Sequence, residues 1–377
     1  MGGLCFSILI CVFMTAFSME GLAKTPKSLW QPVDSFLMTE DESLTVDISS
    51  NGMYFATIDN HILKVRSLSS GDILFETPLE PETEGWRYNQ VFFSPDSKKV
   101  AIQLKNRLEV WDLEKKTQNF SKDMHIIPLS GFRFSSDGSR IAVETDGQTF
   151  ILDADSGQNI PITFVSDYFW SSSPAGNKLM GYNENKNTTQ IYDFKTGALI
   201  YTFPGFAYRF SLDGKSIAGL SSRFNSMEVT VWDLTTGQVR TKWNLSEGND
   251  NFLTGFFESA VFFEHHSWDT AGRIEFRSAK NGALLWSKAT QSGESHSPEM
   301  LKDKSELITL AYHRGSTFPS KPSFTEIQSW DPPTGQTNQI ILDEKEVEIY
   351  SFYILSDDRL AIFVKDKELP KLLIFEK

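Results

Sequence analysis

The densest group of side chains that could bind a metal ion is the run Glu264-His265-His266-Ser267-Trp268-Asp269. Imidazole nitrogens and carboxylate oxygens are ligands that zinc and copper accept. In a β-strand, however, His265 and His266 would point to opposite faces of the sheet, so both could reach one ion only from a loop. The pattern therefore favours an exposed polar connection between two strands, and we assign no metal ligand.

A second set of acidic residues recurs along the chain, at Asp155, Asp193, Asp233 and Asp331. Paired carboxylates at a suitable separation act as acid and base in glycoside hydrolysis. Here each aspartate comes shortly before a Ser or Thr that is followed by Gly. Because Asp side chains hydrogen-bond to the backbone of tight turns, this recurrence indicates turn formation, and we assign no catalytic residue.

Other catalytic motifs are missing from the sequence. It contains neither the Gly-x-Ser-x-Gly motif of serine hydrolases nor a phosphate-binding loop of the Walker type. Its two cysteines, Cys5 and Cys11, both lie in an apolar N-terminal segment. If that segment is removed, the remaining chain has no disulfide, no thiolate nucleophile and no cysteine-bound metal.

A repeated unit of about 40 to 45 residues organises most of the chain, which is typical of a propeller or an array. Each unit has an aromatic-rich strand, a Ser-x-Asp-Gly-like turn, two further strands and an Asp-x-x-Ser/Thr-Gly turn. The clearest copies begin at Phe132-Arg133-Phe134-Ser135-Ser136-Asp137-Gly138 and Tyr208-Arg209-Phe210-Ser211-Leu212-Asp213-Gly214. Asp-Gly pairs reverse antiparallel strands, and runs such as Val229-Thr230-Val231-Trp232 alternate with the two-residue period of a strand. The units therefore predict an all-β fold.

The turns after the third strands mark seven units. They fall at Gly71, Lys116 in place of glycine, Gly157, Gly197, Gly237, Gly282 and Gly335. An eighth unit begins at Phe352 and ends after Phe375, one strand short. Residues 31–43 contain Phe36-Leu37-Met38 and are predicted to supply that strand, because closing the ring removes unpaired strand edges. We expect eight four-stranded antiparallel blades, with seven as the alternative.

Three motifs resemble those of the WD-repeat β-propeller family. They are Trp111-Asp112-Leu113, Trp232-Asp233-Leu234-Thr235-Thr236-Gly237 and Trp330-Asp331-Pro332-Pro333-Thr334-Gly335. The resemblance covers residues 31–377 and implies a ring of blades used as a rigid platform for protein partners, without a catalytic set. The Gly-His dipeptide that precedes each blade in that family is absent, so its His-Ser/Thr-Asp-Trp tetrad cannot form. The resemblance is thus to WD-like propellers broadly, including exported bacterial ones and the quinoprotein-like superfamily.

One segment is also similar to the Ala-x-Asp-x-x-Thr-Gly-x-x-x-Trp docking pattern of quinone-cofactor dehydrogenases. It is Ala279-Lys280-Asn281-Gly282-Ala283-Leu284-Leu285-Trp286, and it occurs once with that spacing, since Trp243 lies six residues beyond Gly237 instead of four. A quinone pocket would also need converging carboxylates and a cation site, and the sequence offers no such set. Structural packing of Trp286 is the favoured interpretation, and we expect no cofactor.

Charge and the N-terminal segment bear on the location of the protein. The formal charge of −13, from 36 Lys plus Arg against 49 Asp plus Glu, argues against nucleic-acid binding. Residues 4–19 are almost wholly apolar and precede Gly21-Leu22-Ala23, as in a signal peptide cleaved before Lys24. The apolar run is shorter than the roughly 20 residues of a membrane-spanning helix. We expect residues 1–23 to be a signal peptide and residues 24–377 to form one periplasmic or secreted propeller domain, with an uncleaved membrane anchor as the alternative.

These observations predict a non-enzymatic extracytoplasmic propeller that serves as an interaction platform for a protein partner and is itself a monomer. The alternative is a quinoprotein-like enzyme that binds a small molecule or cofactor. Residues 252–324 depart most from the repeat and are predicted to carry the binding surface, because function is often inserted where a repeat is broken. The candidate partner-binding residues are Tyr312, His313, Arg314, His265 and His266. They are expected to be exposed because both segments are interpreted as loops. Aromatic and Arg side chains are also favoured at interfaces.

Overall fold

Eight four-stranded antiparallel sheets are arranged as the blades of a ring. The computed structural model describes residues 30–37, 42–59, 61–79, 90–104, 107–124, 132–145, 148–161, 168–223, 226–245, 251–265, 272–291, 294–313, 316–317, 320–321, 324–343, 347–366 and 369–377. The predicted signal peptide lies outside these residues. None of the segments described forms a helix that is long and apolar enough to cross a membrane. The predicted eight-bladed all-β propeller is confirmed.

The first strand, β1 (Gln31–Leu37), belongs to the last blade. Blade 1 consists of β2 (Glu42–Ile48), β3 (Tyr54–Asp59), β4 (Ile62–Ser67) and β5 (Ile73–Pro78). Blade 2 consists of β6 (Gln90–Phe93), β7 (Lys99–Leu104), β8 (Arg107–Asp112) and β9 (Thr117–Asp123). Blade 3 consists of β10 (Phe132–Phe134), β11 (Arg140–Thr145), β12 (Gln148–Asp153) and β13 (Asn159–Ile160). Blade 4 consists of β14 (Tyr168–Ser172), β15 (Lys178–Asn183), β16 (Thr188–Asp193) and β17 (Leu199–Pro204).

The remaining blades follow the same order along the chain. Blade 5 consists of β18 (Ala207–Phe210), β19 (Ser216–Arg223), β20 (Ser226–Asp233) and β21 (Gln238–Leu245). Blade 6 consists of β22 (Asn251–Phe257), β23 (Ala260–His265), β24 (Arg273–Ser278) and β25 (Leu284–Ala289). Blade 7 consists of β26 (Glu294–Met300), β27 (Leu307–His313), β30 (Phe324–Trp330) and β31 (Thr337–Asp343), with the small hairpin of β28 (Ser316–Thr317) and β29 (Ser320–Lys321) between β27 and β30. Blade 8 consists of β32 (Val347–Ser356), β33 (Arg359–Asp366), β34 (Leu369–Glu376) and β1.

The strands of each blade are connected in sequence order, which gives the ring two different faces. Turns after the first and third strands emerge at one face, called face A here, where Asp137-Gly138 is an example. Turns after the second strands emerge at the opposite face, called face B, where the β28–β29 hairpin lies. A residue's position along its strand therefore decides which face of the ring it serves.

Each sheet is apolar on both sides because it packs between two neighbouring blades. Phe262 and Phe263 are adjacent in β23 and are both fully buried. Phe262 belongs to the core shared with blade 7, and Phe263 belongs to the core shared with blade 5. The aromatic pairs of this region, which exceed what one buried face needs, are thus explained by packing on two faces.

The turns that precede the fourth strands share a left-handed backbone conformation. Their φ angles are 75° at Gly71, 56° at Lys116, 67° at Gly157, 69° at Gly197, 70° at Gly237, 72° at Gly282 and 68° at Gly335. Glycine adopts this region without the steric cost that a Cβ atom brings. The seven positions read from the sequence are therefore the seven turns of the structure, including the one occupied by lysine.

At five blade junctions, an aromatic ring of the outer strand rests on the turn glycine of the next blade. A Cβ atom on that glycine would come within 2.4 to 2.8 Å of the ring. The ring and glycine pairs are Phe36 with Gly71, Phe120 with Gly157, Tyr201 with Gly237, Trp243 with Gly282, and Trp286 with Gly335. Glycine thus serves these turns twice, through its φ angle and through the space that its missing side chain leaves.

The ring closes through the N-terminal strand, as predicted. Strand β1 pairs antiparallel with β34, with Phe36 opposite Leu372 and Ser35 opposite Leu373. Just before β1, Trp30 is almost completely buried, and its indole N–H donates to Glu306 Oε2 at 2.9 Å. Because Glu306 belongs to blade 7, this tryptophan ties the closing strand to the neighbouring blade as well as to its own.

Substituting a turn glycine should separate the two functions of these positions. Gly282 has a φ of 72° and meets Trp243, whereas Gly52 has a φ of 65° and nothing within 4 Å. We predict that G52A lowers the free energy of unfolding by about 1 kcal/mol, the cost of a left-handed alanine. G282A should add a steric cost of about 1 to 3 kcal/mol, because the ring must move. Urea denaturation of both variants measures the difference, and equal losses would contradict the aromatic contact.

Candidate functional site

Four charged residues lie in the first strands of alternate blades. They are Asp47 in blade 1, Arg133 in blade 3, Arg209 in blade 5 and Glu299 in blade 7. In β10, Arg133 is exposed between the buried residues Phe132 and Phe134, which follows from the alternation of a strand. Asp47 interacts electrostatically with Arg133, although blade 2 lies between their blades, and Glu299 does so with Arg209 across blade 6. Such coupling between non-adjacent blades places these groups at the central channel.

Asp47 has the most perturbed carboxyl group of this set. Burial raises the pKa of Asp47 to about 7. The hydrogen bond from the Phe93 N–H and the charge of Arg133 both act to lower this pKa, but burial has the larger effect. The Phe93 N–H donates to Asp47 Oδ2 at 2.7 Å. Nearby, burial raises the pKa of Tyr353, whose hydroxyl donates to the Val46 carbonyl at 2.6 Å. Asp47 therefore gains or loses its charge near neutral pH.

His265, predicted as an exposed contact, is buried at the end of β23. Its Nε2 atom lies 3.1 Å from Glu275 Oε2, and the Nε–H groups of Arg273 and Arg277 donate to the same carboxylate at 2.7 and 2.6 Å. Burial alone would raise the pKa of Glu275, but the hydrogen bonds and charges of His265 and Arg277 bring it to about 2. His265 thus holds an ionised carboxylate inside blade 6.

A second buried network lies in blade 7 and reaches blade 6. His313 Nε2 is 3.1 Å from Glu326 Oε1, and His313 Nδ1 is 3.7 Å from Glu294 Oε2. The other oxygen of Glu294, Oε1, is 3.1 Å from His296 Nε2. The backbone N–H of His296 donates to Glu264 Oε1 at 2.9 Å. We call Glu264, His296, Glu294, His313 and Glu326 the blade 7 network.

The blade 7 network alternates carboxylates with imidazoles, so each stabilises the charge of the next. Burial alone would lower the pKa of His296, but its hydrogen bonds and charge interactions with Glu264 and Glu294 raise it above the usual value. Burial would raise the pKa of Glu294, yet His296, the Gln291 N–H and the charge of His313 lower it. Buried ions are tolerated when they are paired in this way, and their removal is costly.

The predicted partner-binding residues differ in how exposed they are. Tyr312 is 43% exposed, whereas His265 and His313 are 8% and 7% exposed. The expectation that these two imidazoles are exposed is wrong, because buried carboxylates bind them. His266 and Arg314 lie outside the described residues. A partner-binding role for this end of blade 7 stays a prediction. Among the predicted residues that the structure describes, Tyr312 is the exposed one.

The recurring aspartates lie in turns, as the sequence indicates. Asp193 Oδ1 accepts the Thr196 N–H at 2.8 Å, and Asp233 Oδ1 accepts the Thr235 N–H at 2.7 Å. In blade 3 the equivalent position is Asp153, whose Oδ1 accepts the Ser156 N–H at 3.0 Å. Asp155 instead lies 3.2 Å from Lys99 Nζ of blade 2. The turn role belongs to Asp153, and Asp155 links two blades.

Trp286 packs against protein atoms, in agreement with the structural interpretation. Its ring stacks on Trp330 with centroids 6.1 Å apart and on Phe276 at 5.3 Å. Its indole N–H donates to the Pro332 carbonyl at 2.7 Å. Within the described part of the chain, no three His, Cys, Asp or Glu side chains are grouped so as to hold a metal ion.

The charged residues of the channel were not predicted from the sequence. A signal for them was present, because Arg133 stands between two phenylalanines in a predicted strand. Alternation alone would have placed that arginine on the other face of the strand from the two phenylalanines. It could not have shown that residues from blades two apart lie near one another, since that requires the curvature of the ring.

Comparison with known proteins supports the fold. No family model and no curated protein matches the sequence. Among solved structures, BamB from Moraxella catarrhalis is similar with a TM-score of 0.56 and 15% identity, over 93% of this chain and 100% of that one. The C-terminal WD40 domain of Sif2 is similar with a TM-score of 0.60 and 12% identity, over 92% and 98% of the two chains. At these identities the likeness shows a β-propeller fold.

The pKa of Asp47 makes stability depend on pH. The folded protein keeps the Asp47 proton up to about pH 7, whereas the ordinary pKa is 3.8, so the free energy of unfolding falls as pH rises through this window. D47N keeps an acceptor for the Phe93 N–H without a charge. We predict that D47N is more stable than the parent at pH 8 by roughly 1 kcal/mol or more, and that this advantage shrinks toward pH 5. Urea titrations across this range measure it, with exposed Asp72→Asn as control, and a constant difference would contradict the titration of Asp47.

Proposed function

We propose that this chain is an extracytoplasmic, non-enzymatic propeller that binds a protein partner through face B of blade 7. The observation that carries the proposal is the exposed ring of Tyr312, which stands on a central strand between the buried residues Ala311 and His313. Tyrosine combines a large apolar area with a polar tip and loses little conformational entropy on binding, so it is common at the centre of interfaces.

The backbone beneath Tyr312 is held in place before any partner arrives. Strand β27 is paired on both sides, with Tyr312 opposite Ser295 of β26 and Thr325 of β30. The next residue, His313, is fixed by Glu326 and Glu294 of the blade 7 network. Preorganisation of this kind favours affinity, because little ordering entropy is lost when the complex forms.

Blade 7 also has an addition at this position. The β28–β29 hairpin, with Ser316 opposite Lys321, follows directly after β27. In the described residues of the other blades, the second and third strands are joined without such a hairpin. Insertions at loop tips of rigid scaffolds are common places for binding. The hairpin adds backbone at face B close in sequence to Tyr312, and this supports face B of blade 7 as the partner surface.

The extracytoplasmic location rests on the N-terminal segment and is compatible with ring closure. Cleavage after Ala23 would leave Trp30 and β1 intact, and these residues close the ring. We predict that the mature protein begins at or within a few residues of Lys24. N-terminal sequencing of protein from the native host measures this, and an intact Met1 recovered from membranes would show a tethered chain instead.

Alanine substitution of Tyr312 tests the partner surface. We predict that Y312A reduces partner capture about tenfold or more, while its melting temperature stays close to that of the parent, because an exposed side chain contributes little to folding. Capture is measured by crosslinking in the native host followed by mass spectrometry against the parent protein. His313 should be left unchanged, since removing a buried, paired imidazole would destabilise the blade.

The matched control is I340A, which removes another exposed apolar side chain from the outer strand of the same blade. It should leave capture unchanged. Full capture by Y312A, or equal losses in both variants, would remove Tyr312 from the interface.

A further inference from the structure

A cavity of about 210 Å³ opens at face A, where the first strands of blades 2, 3 and 4 end. Its lining includes Phe92 and Phe132, whose ring centroids are 5.0 Å apart, and Pro174 with its neighbours in the first turn of blade 4. The Ser136 N–H of blade 3 donates to the Gly176 carbonyl of blade 4 at 2.9 Å, which fixes the two turns that flank the opening. We call this space the Arg133 cavity, after the charged residue that lines it.

Arg133 is the charged side chain among the residues that line the cavity. Its Nη1 atom donates to the Phe132 carbonyl at 2.7 Å, and its guanidinium carbon lies 5.4 Å from the centroid of the Phe92 ring. These contacts fix the guanidinium over an aromatic face and use one of its five N–H donors. Among the described residues, no carboxylate lies within ion-pair distance of it, so the other donors remain for a ligand.

The electrostatic surroundings leave this arginine largely uncompensated below neutral pH. The acidic group that interacts with it is Asp47, which burial keeps protonated up to about pH 7. The other groups that face Asp47 are the Phe93 N–H of blade 2 and Tyr353 of blade 8. Tyr353 carries no charge at neutral pH, since burial raises its pKa above the usual value.

We propose that the Arg133 cavity binds a small aryl carboxylate, with the carboxylate on the Arg133 guanidinium and the aromatic ring between Phe92 and Pro174. The guanidinium fork matches the two oxygens of a carboxylate, and one fixed positive charge matches a monoanion. The size also fits, because an apolar cavity of about 150 Å³ is known to hold benzene. The remaining space suits one acidic substituent. This site is separate from Tyr312, which lies on face B.

The neighbourhood of Asp47 gives this site a pH dependence of known sign. When Asp47 ionises, its negative charge compensates Arg133 and opposes an incoming anion. The affinity for an aryl carboxylate therefore falls as pH rises above 7. In D47N this competition is absent, so the affinity should change little between pH 6 and pH 8.

The experiment is a ¹⁹F NMR titration of the mature protein with 4-fluorophenylacetate at pH 6. We expect saturable binding, and we expect R133Q to weaken it by about tenfold or more, because a charge-assisted hydrogen-bonded pair is lost. R209Q is the matched control, since Arg209 also reaches the channel from a first strand but does not line the cavity. Its affinity should equal that of the parent.

Two further probes and one variant complete the test. Fluoroacetate carries the charge without the ring and 4-fluorophenethylamine carries the ring with the opposite charge, so both should bind much more weakly. A175F should block the cavity from its exposed rim while leaving Arg133 in place, and so abolish binding even if R133Q folds poorly. Unchanged binding in A175F, equal binding of the amine, or equal binding of fluoroacetate would overturn the proposal.

Discussion

The contact on which the ring depends is an aromatic side chain placed on a turn that has no Cβ atom. Neighbouring blades share apolar cores, but apolar packing of about the right volume does not by itself specify one precise fit between two sheets. A ring such as Trp286 or Trp243 fits only over the glycine of the following blade, so it fixes the relative position of the two sheets. At five blade junctions the same contact sets how one sheet is placed against the next.

The junction between blades 1 and 2 shows what happens when the turn glycine is replaced. Lys116 adopts the same left-handed conformation, and its ammonium donates to the Leu74 carbonyl at 3.0 Å. Phe75, the equivalent ring of blade 1, lies 5.8 Å from Trp111, and a cleft of about 360 Å³ remains beside it. The hydrogen bond from Lys116 to Leu74 links the two blades, but the cleft between them is not filled by a side chain. At the other junctions, the turn glycine therefore allows the aromatic ring to fill the space between the blades, in addition to forming the turn.

The features that could be predicted from the sequence are those determined within a single strand or turn. The turn positions, the closing strand and the packing role of Trp286 all follow from local patterns. The aromatic rings at the blade junctions could also have been predicted, because Phe75, Phe120 and Tyr201 each lie four residues after a turn residue. Trp243 lies six residues after its turn residue, Gly237, and also packs on a glycine of the next blade. A shift of two residues keeps a side chain on the same face of a strand. The blade 7 network could not be predicted, because its carboxylates and imidazoles come from four strands of two blades.

This propeller uses buried and channel charges in two different ways. In the blade 7 network each imidazole meets a carboxylate, so the charges are matched and the group serves to fix β26, β27 and β30 to one another. At the channel, the acidic neighbour of Arg133 is protonated below about pH 7, and most donors of Arg133 have no acceptor among the described residues. Matched charges make a blade rigid, whereas an unmatched charge held over an aromatic ring is suited to a ligand. A rigid blade 7 and an arginine at the channel that is left for a ligand are thus two outcomes of one architecture, decided by whether the partner of each charge is built into the chain.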